Sequence, residues 1–190
     1  MIEDIRNQLL ASIDVKTRTL DACVADTQRA AQLMIDCLKA GGRLYLCGNG
    51  GSAADCQHVA CELVGRFMLD RKALPAVALT TDTSILTSVA NDYDYEEVFA
   101  RQVAALVREG DLLLAISTSG NSTSVIKAAV VAHQHNAKVV ALTGAGGGRL
   151  KELADCLIAV PGETAPRIQE VHITLLHIIC ALIERALYKD

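Results

Sequence analysis

The sequence predicts an α/β fold: a three-layer sandwich around a central, mainly parallel five-stranded sheet, with long helices at both ends of the chain. Three observations predict it. Short apolar runs recur at Arg43–Cys47, Ala76–Leu79, Leu112–Ile116, Lys138–Leu142 and Leu157–Val160, each bounded by Gly, Ser, Thr, Asp or Pro. Amphipathic stretches such as Ser52–Phe67, Asp94–Val107 and Asn121–His135 lie between them. Near-continuous apolar strands that alternate with helices belong to a parallel sheet covered on both faces. The third observation is that both ends of the chain read as helix.

Taken in order, Ile2 to Ala40 contains no Pro or Gly and is rich in Ala, Leu, Asp and Arg. It reads as one or two helices, stopped by Gly41-Gly42. The strand–helix alternation fills the middle, and a long helix from about Pro166 to Tyr188 closes the chain, with Pro in its first turn. No internal repeat, low-complexity tract or linker interrupts this pattern. Residues 1–190 therefore read as one domain: 1–40 a helical segment used in oligomerisation, 41–165 an α/β core, and 166–190 the C-terminal helix.

Composition narrows the class. A chain of 190 residues with 51% hydrophobic content can bury a full core and is not disordered. No uninterrupted apolar run reaches the ~20 residues of a membrane span, and MIEDIRNQLL lacks the basic and apolar regions of a signal peptide. The seven cysteines are scattered, mostly in apolar runs, and form no CxxC pair. They read as free, buried thiols in a reducing, cytoplasmic compartment. A net charge of −4 with two Phe and no Trp argues against a nucleic-acid groove.

Two loops carry unusual chemistry. The first apolar run leads into Cys47-Gly48-Asn49-Gly50-Gly51-Ser52, and a helix follows at once. Glycines let backbone approach a ligand, and a helix N-terminus offers free N–H groups to an anion. Gly48-x-Gly50-x-x-Ala53 also meets a relaxed dinucleotide fingerprint, which further requires an acidic residue at the end of the next strand. Asp70 precedes that strand and Asp82 follows it too late. The third run ends in Ser117-Thr118-Ser119-Gly120-Asn121-Ser122, where five of six side chains carry a hydroxyl or an amide. Such a loop can surround phosphate oxygens, and no Walker lysine follows it. A polar turn with a capping Ser or Asn would look the same in one loop. Two such loops at neighbouring strand ends point to a monophosphate ligand.

His58 and Glu62 lie at i and i+4 on the helix that opens at Ser52, so they share a face and can grip one metal or transfer protons. The C-terminal helix carries Gln169, His172 and His177 among Ile168, Val171, Leu175, Ile178 and Ile179. A lone His on such a helix is commonly a satisfied core residue.

The stretches CGNGGSAADCQHVACELVGRF from Cys47, LPAVALTTDTSILTSVANDY from Leu74, LLAISTSGNS from Leu113 and RIQEVHITLLHI from Arg167 resemble the sugar isomerase (SIS) domain family, and within it the phosphoheptose isomerases. The resemblance covers nearly the whole chain. It implies a flavodoxin-like SIS fold and conversion of D-sedoheptulose 7-phosphate to D-glycero-D-manno-heptose 7-phosphate, for bacterial heptose and lipopolysaccharide precursors. It also implies a homotetramer with one zinc per subunit. Carried over by position, it assigns Ser52, Ser117, Thr118, Ser119 and Ser122 to the sugar phosphate. Asn49, Gly50 and Gly51 would line the same pocket, with Asn91 and Asp92 on sugar hydroxyls. His58, Glu62, Gln169 and His177 match the metal positions, Glu62 and Gln169 also contact substrate, and Glu62 and His177 match the proton-transfer pair. Pro166 stands where some relatives carry an acidic residue, which removes any sugar contact from that position.

Isomerisation needs a base, a partner acid and positive charge near a developing oxyanion. One difficulty is geometric: at ~1.5 Å rise per residue, Gln169 and His177 stand about 12 Å apart along a straight helix. Convergence on one ion requires both side chains to stretch, or two copies of the helix, or His172 in place of one of them. The expectation drawn here is that sites are shared between subunits, with Glu62 and His177 of one site on different chains. The alternative function is a non-catalytic scaffold resembling the replication-initiator-associating protein of the same family. A sugar-phosphate-sensing regulator is a third reading, and no DNA-binding module is visible to support it.

Overall fold

The structure, a computed structural model, describes residues 1–188; the last two residues of the expected C-terminal segment, Lys189 and Asp190, lie outside the described residues. The N-terminal segment is one helix, α1 (Ile2–Lys39). Its buried stripe begins at Val15 and continues through Thr19, Cys23, Thr27, Ala30, Ala31, Met34 and Ile35. That near-fourfold spacing lays one face of α1 against the sheet and the last helix. The Thr19 and Thr27 hydroxyls donate to the carbonyls of Val15 and Cys23, so burying them leaves no hydroxyl unsatisfied. Before Val15 no residue of α1 is buried, and Ile2, Ile5, Leu9, Leu10 and Ile13 are exposed.

The sheet consists of β1 (Leu44–Gly48), β2 (Ala76–Ala78), β3 (Leu112–Ser117), β4 (Lys138–Gly144) and β5 (Cys156–Val160). Their order is β2-β1-β3-β4-β5 and every pairing is parallel. Alternate residues face opposite layers. Leu44, Leu46, Leu112, Leu114 and Ile116 pack with α1, α2 (Gly51–Val64) and α6 (Ala165–Tyr188). Tyr45, Cys47, Leu113 and Ala115 pack with α3 (Thr83–Asp92), α4 (Ala100–Leu106) and α5 (Thr123–Gln134). The fold is the expected three-layer sandwich.

One helical stretch differs from expectation. The stretch Asp94–Val107 is broken into a 3-10 turn, Tyr95–Glu97, and the short α4, because Asp94 accepts the Glu96 N–H and starts a separate turn. Helix α3 occupies a Thr/Ser/Ile-rich stretch with weak intrinsic helix preference. It forms because Asp82 accepts the Ile85 N–H as an N-cap, while Thr87 and Ser88 donate back into the helix. The cysteines are all free, six of them buried; Cys61 is exposed on α2, against the expectation of burial. Helix α6 is long and apolar enough to cross a membrane by length and composition alone. It is instead a core helix, with Ile168, Val171, Leu175, Leu176, Ile179, Cys180 and Ile183 buried in the α1/α2 layer.

Candidate active site

Both hydroxyl-bearing loops leave the carboxyl ends of adjacent strands, with Gly48 of β1 in register with Ile116 of β3. The order β2-β1-β3 places the reversal of strand order between β1 and β3, where an open parallel sheet forms a ligand crevice. The first loop turns through Gly50 at φ 56°, a conformation that favours glycine. Its Asn49 amide is fixed from both sides: Nδ2 donates to Ser124 Oγ at 3.0 Å, and Oδ1 accepts from the Tyr95 hydroxyl at 2.8 Å. Gly51 opens α2, and Ser52 is buried in its first turn.

In the second loop, Ser117 Oγ and Ser122 Oγ lie 3.0 Å apart, and Ser119 Oγ accepts the Asn121 N–H at 3.1 Å. Thr118 is half-buried and Ser119 exposed. Ser122 occupies the N-cap position of α5 without making a cap bond, so simple capping does not account for it. Neither α2 nor α5 is capped by a side chain, and their N-termini stand side by side across the Asn49–Ser124 bond. Uncapped N–H groups and clustered hydroxyls can donate to an anion.

Sequence reasoning passed over what braces this loop. The run Gly144-Ala145-Gly146-Gly147-Gly148 lies directly behind it, with three successive glycines at positive φ. Gly144 N donates to Thr118 O, Leu150 N to Gly120 O, and Arg149 N to Asn121 Oδ1. A side chain on Gly120 would collide with the backbone of Gly147. The signal available in the sequence was the glycine run itself, following a strand end.

Helices α2 and α6 run side by side in the same direction. Near their N-termini, the Gln169 amide lies over Gly51, where an added Cβ would come within 2.7 Å of it. Two turns further on, His58 Nε2, Glu62 Oε1 and His177 Nε2 form a triangle with edges of 3.1, 3.2 and 3.3 Å. The three ligand atoms could hold one metal ion. A tetrahedral ion with bonds of about 2.0–2.1 Å has ligand-to-ligand edges of about 3.3 Å, so the triangle fits zinc. The other Glu62 oxygen, Oε2, is buried and meets no hydrogen-bond partner among the described residues. Beside this carboxylate lies the buried thiol of Cys180, pushed up by burial and then by the Glu62 charge, so it stays protonated. The Phe67 ring stacks on His177, centroids 5.8 Å apart.

The expectation that Glu62 and His177 of one site come from different chains is corrected here, because the two side chains meet within one chain. The parallel packing of α2 on α6 brings their facing stripes into register. The Gln169 amide stands over Gly51. His172, the spacing alternative, points into the core: it is fully buried, with Nε2 3.0 Å from the Thr143 carbonyl. Asn91 and Asp92, at the end of α3, are exposed and hydrogen-bond each other. The link from their neighbourhood to the first loop is Tyr95, which the sequence did not single out. Asp55 was also passed over. It lies one turn after Ser52 and two turns before Glu62, so the spacing alone places it on the ligand face of α2. Burial pushes its carboxyl up to about 6, against the pull of His58 and His177, and its Oδ2 has no partner among the described residues.

Comparison with known proteins agrees with this geometry. The SIS domain family model matches residues 11–144. A phosphoheptose isomerase of Akkermansia muciniphila is 50% identical over 188 residues, covering 99% of each chain. The structure of a phosphoheptose isomerase from Neisseria gonorrhoeae superposes with a TM-score of 0.91 at 46% identity, over 96% of this chain and 97% of that one. One from Francisella tularensis gives 0.94 at 38% identity, over 97% and 98% of the two chains.

Proposed function

We propose, from the premise that this chain belongs to the SIS domain family and within it to the phosphoheptose isomerases, that it converts D-sedoheptulose 7-phosphate to D-glycero-D-manno-heptose 7-phosphate through an enediol(ate). One observation carries the reading. Two uncapped helix N-termini with hydroxyl loops lie at the sheet's switch point, and the same helix α2 leads from there to a carboxylate between two imidazoles.

In this reading the loops hold the phosphate through Ser52, Ser117, Thr118, Ser119 and Ser122 and the N–H groups of the two helix starts. Asn49, Gly50 and Gly51 shape the floor, Gln169 closes over Gly51, and Asn91 and Asp92 reach the sugar hydroxyls. Glu62 takes the proton beside the carbonyl. His177, stacked on Phe67 and therefore held in orientation, exchanges the proton with the oxygens of the enediol through Nδ1, the nitrogen not turned to the metal position. The buried surroundings of Glu62 strengthen each of these interactions.

His58, Glu62 and His177 would hold one zinc per subunit, which when bound supplies positive charge beside the developing oxyanion. Gln169 would complete the set. The exposed apolar residues of α1, from Ile2 through Ile13 and on to Leu20 and Val24, support a homotetramer. A cytoplasmic location and a role in lipopolysaccharide precursor synthesis belong to the same proposal, as does a single domain organised as 1–40, 41–165 and 166–190. The scaffold alternative leaves the Glu62–His177 pair without a purpose.

The test is incubation of zinc-loaded protein with sedoheptulose 7-phosphate, following appearance of an aldose phosphate by NMR. A folded, zinc-loaded protein that gives no aldose would return the reading to a scaffold.

A further inference from the structure

Beyond the triangle, the segment that follows α2 is joined to α6 by a buried ion pair. Arg71 Nε meets Glu184 Oε1 at 3.1 Å, and the two side chains are 1% and 2% exposed. Burying a pair like this is weak ground for stability in itself, since desolvation offsets the attraction. The partners it finds are more informative. Glu184 accepts the N–H groups of Phe67, Met68 and Leu69 at 2.9–3.0 Å. Burial alone would raise its carboxyl, yet these three N–H groups and Arg71 together hold it below the ordinary glutamate value. Arg71 turns the rest of its guanidinium on the end of α2, donating to the carbonyls of Glu62 at 2.7 Å, Leu63 at 2.6 Å and Gly65 at 3.2 Å. These are carbonyls that a helix C-terminus leaves without intrahelical partners.

One arm therefore ends on a member of the triangle and the other on a residue stacked against one. Arg71 holds the backbone of Glu62. Glu184 holds the backbone of Phe67, whose ring stacks on His177. Glu184 and His177 are seven residues apart on α6, two turns along one face, so a single helix carries both the histidine and the anchor of the ring that orients it.

We propose that Arg71 and Glu184 are positioning residues that set the spacing between Glu62 and His177, and so tune metal affinity and turnover, without contributing to phosphate binding. The proposal rests on the reading of His58, Glu62 and His177 as the metal and proton-transfer site. It separates two ends of one crevice, because the phosphate loops lie two to three turns away at the opposite end of α2.

The experiment uses the full-length protein with Arg71→Lys, which keeps the buried charge but lacks the fork that reaches several carbonyls at once. Zinc affinity is measured by competition with a chromophoric chelator. Phosphate-loop function is measured through inhibition by inorganic phosphate and through KM for sedoheptulose 7-phosphate. Zinc affinity and kcat are expected to fall at least about tenfold, while KM and phosphate inhibition stay within about twofold. Zinc affinity and kcat within twofold of the parent would overturn the proposal. So would an equal weakening of zinc and phosphate binding, which is the mark of general loosening. Should Arg71→Lys fail to fold, Phe67→Leu decides with the ion pair intact: zinc binding weakened about threefold or more supports the proposal, and unchanged binding overturns it. Glu62→Gln serves as the reference. If it binds zinc like the parent, the metal-site reading falls and this proposal with it; if it loses zinc while Arg71→Lys does not, the positioning role alone falls.

Discussion

Acidification from pH 7 to 5 is expected to cost the folded chain about 2 kcal/mol through His172 alone. The imidazole is fully buried, and its Nε2 lies 3.0 Å from the Thr143 carbonyl, so Nε2 carries the proton of the neutral ring. Nδ1 meets no partner among the described residues, and a proton placed there would find no acceptor. Burial holds the pKa down to about 4 from an ordinary 6.5, although the Thr143 carbonyl pulls the other way. The unfolded chain thus takes up a proton near pH 6.5 and the folded chain only near 4. Between those values the unfolded state binds more protons, so stability falls as pH falls. The whole gap corresponds to roughly 3 kcal/mol, of which about 2 is spent by pH 5. At this chain length that is about 4–8 °C in melting temperature. The assay is thermal unfolding of the parent and of His172→Gln, at fixed protein concentration, between pH 7 and 5. The glutamine keeps a donor for the Thr143 carbonyl and does not titrate. The parent should lose about 4–8 °C more than the variant across the window; parallel curves would refute the reasoning.

Glu62→Gln is expected to lower turnover by about 10²–10⁴-fold while inorganic phosphate still inhibits, as the loss of a base leaves the loops whole. Near-parental activity would exclude Glu62 as the base. Ser119→Ala and Ser122→Ala should raise KM more than they lower kcat, because phosphate contacts exist in ground and transition states alike. Each lost bond to a charged group is worth about 1.5–3 kcal/mol, or roughly 10- to 150-fold in binding; unchanged sugar-phosphate affinity in both variants would mean the loop is misassigned. Glu62→Gln and His177→Ala subunits, dissociated and reassembled together, are expected to stay inactive, since the two side chains of a site belong to one chain. Recovery towards about a quarter of parental activity would mean that sites are built from two chains.

Much of this was legible in the residues. Apolar runs between turn formers marked all five strands to within two residues or so of their observed ends. Where the reading missed, a local device outweighed intrinsic preference. Asp94, by accepting the Glu96 N–H, divided what looked continuous. Within the site, loop composition and the i, i+4 relation of His58 and Glu62 were visible. Tyr95 was not, and the glycine run behind the second loop showed only as a run after a strand end. Their importance comes from touching Asn49 and Gly120, contacts that no local pattern encodes.

By itself the sequence determined the α/β architecture, the two hydroxyl-rich loops and the shared face of His58 and Glu62, because each depends on periodicity or composition over a few residues. Only the tertiary structure decided that His177 joins His58 from 119 residues away, in the same chain, while His172 turns inward. Spacing along one helix sets distances along that helix. Where two helices meet depends on how their side chains interlock against the sheet between them, and that register belongs to the packed core as a whole.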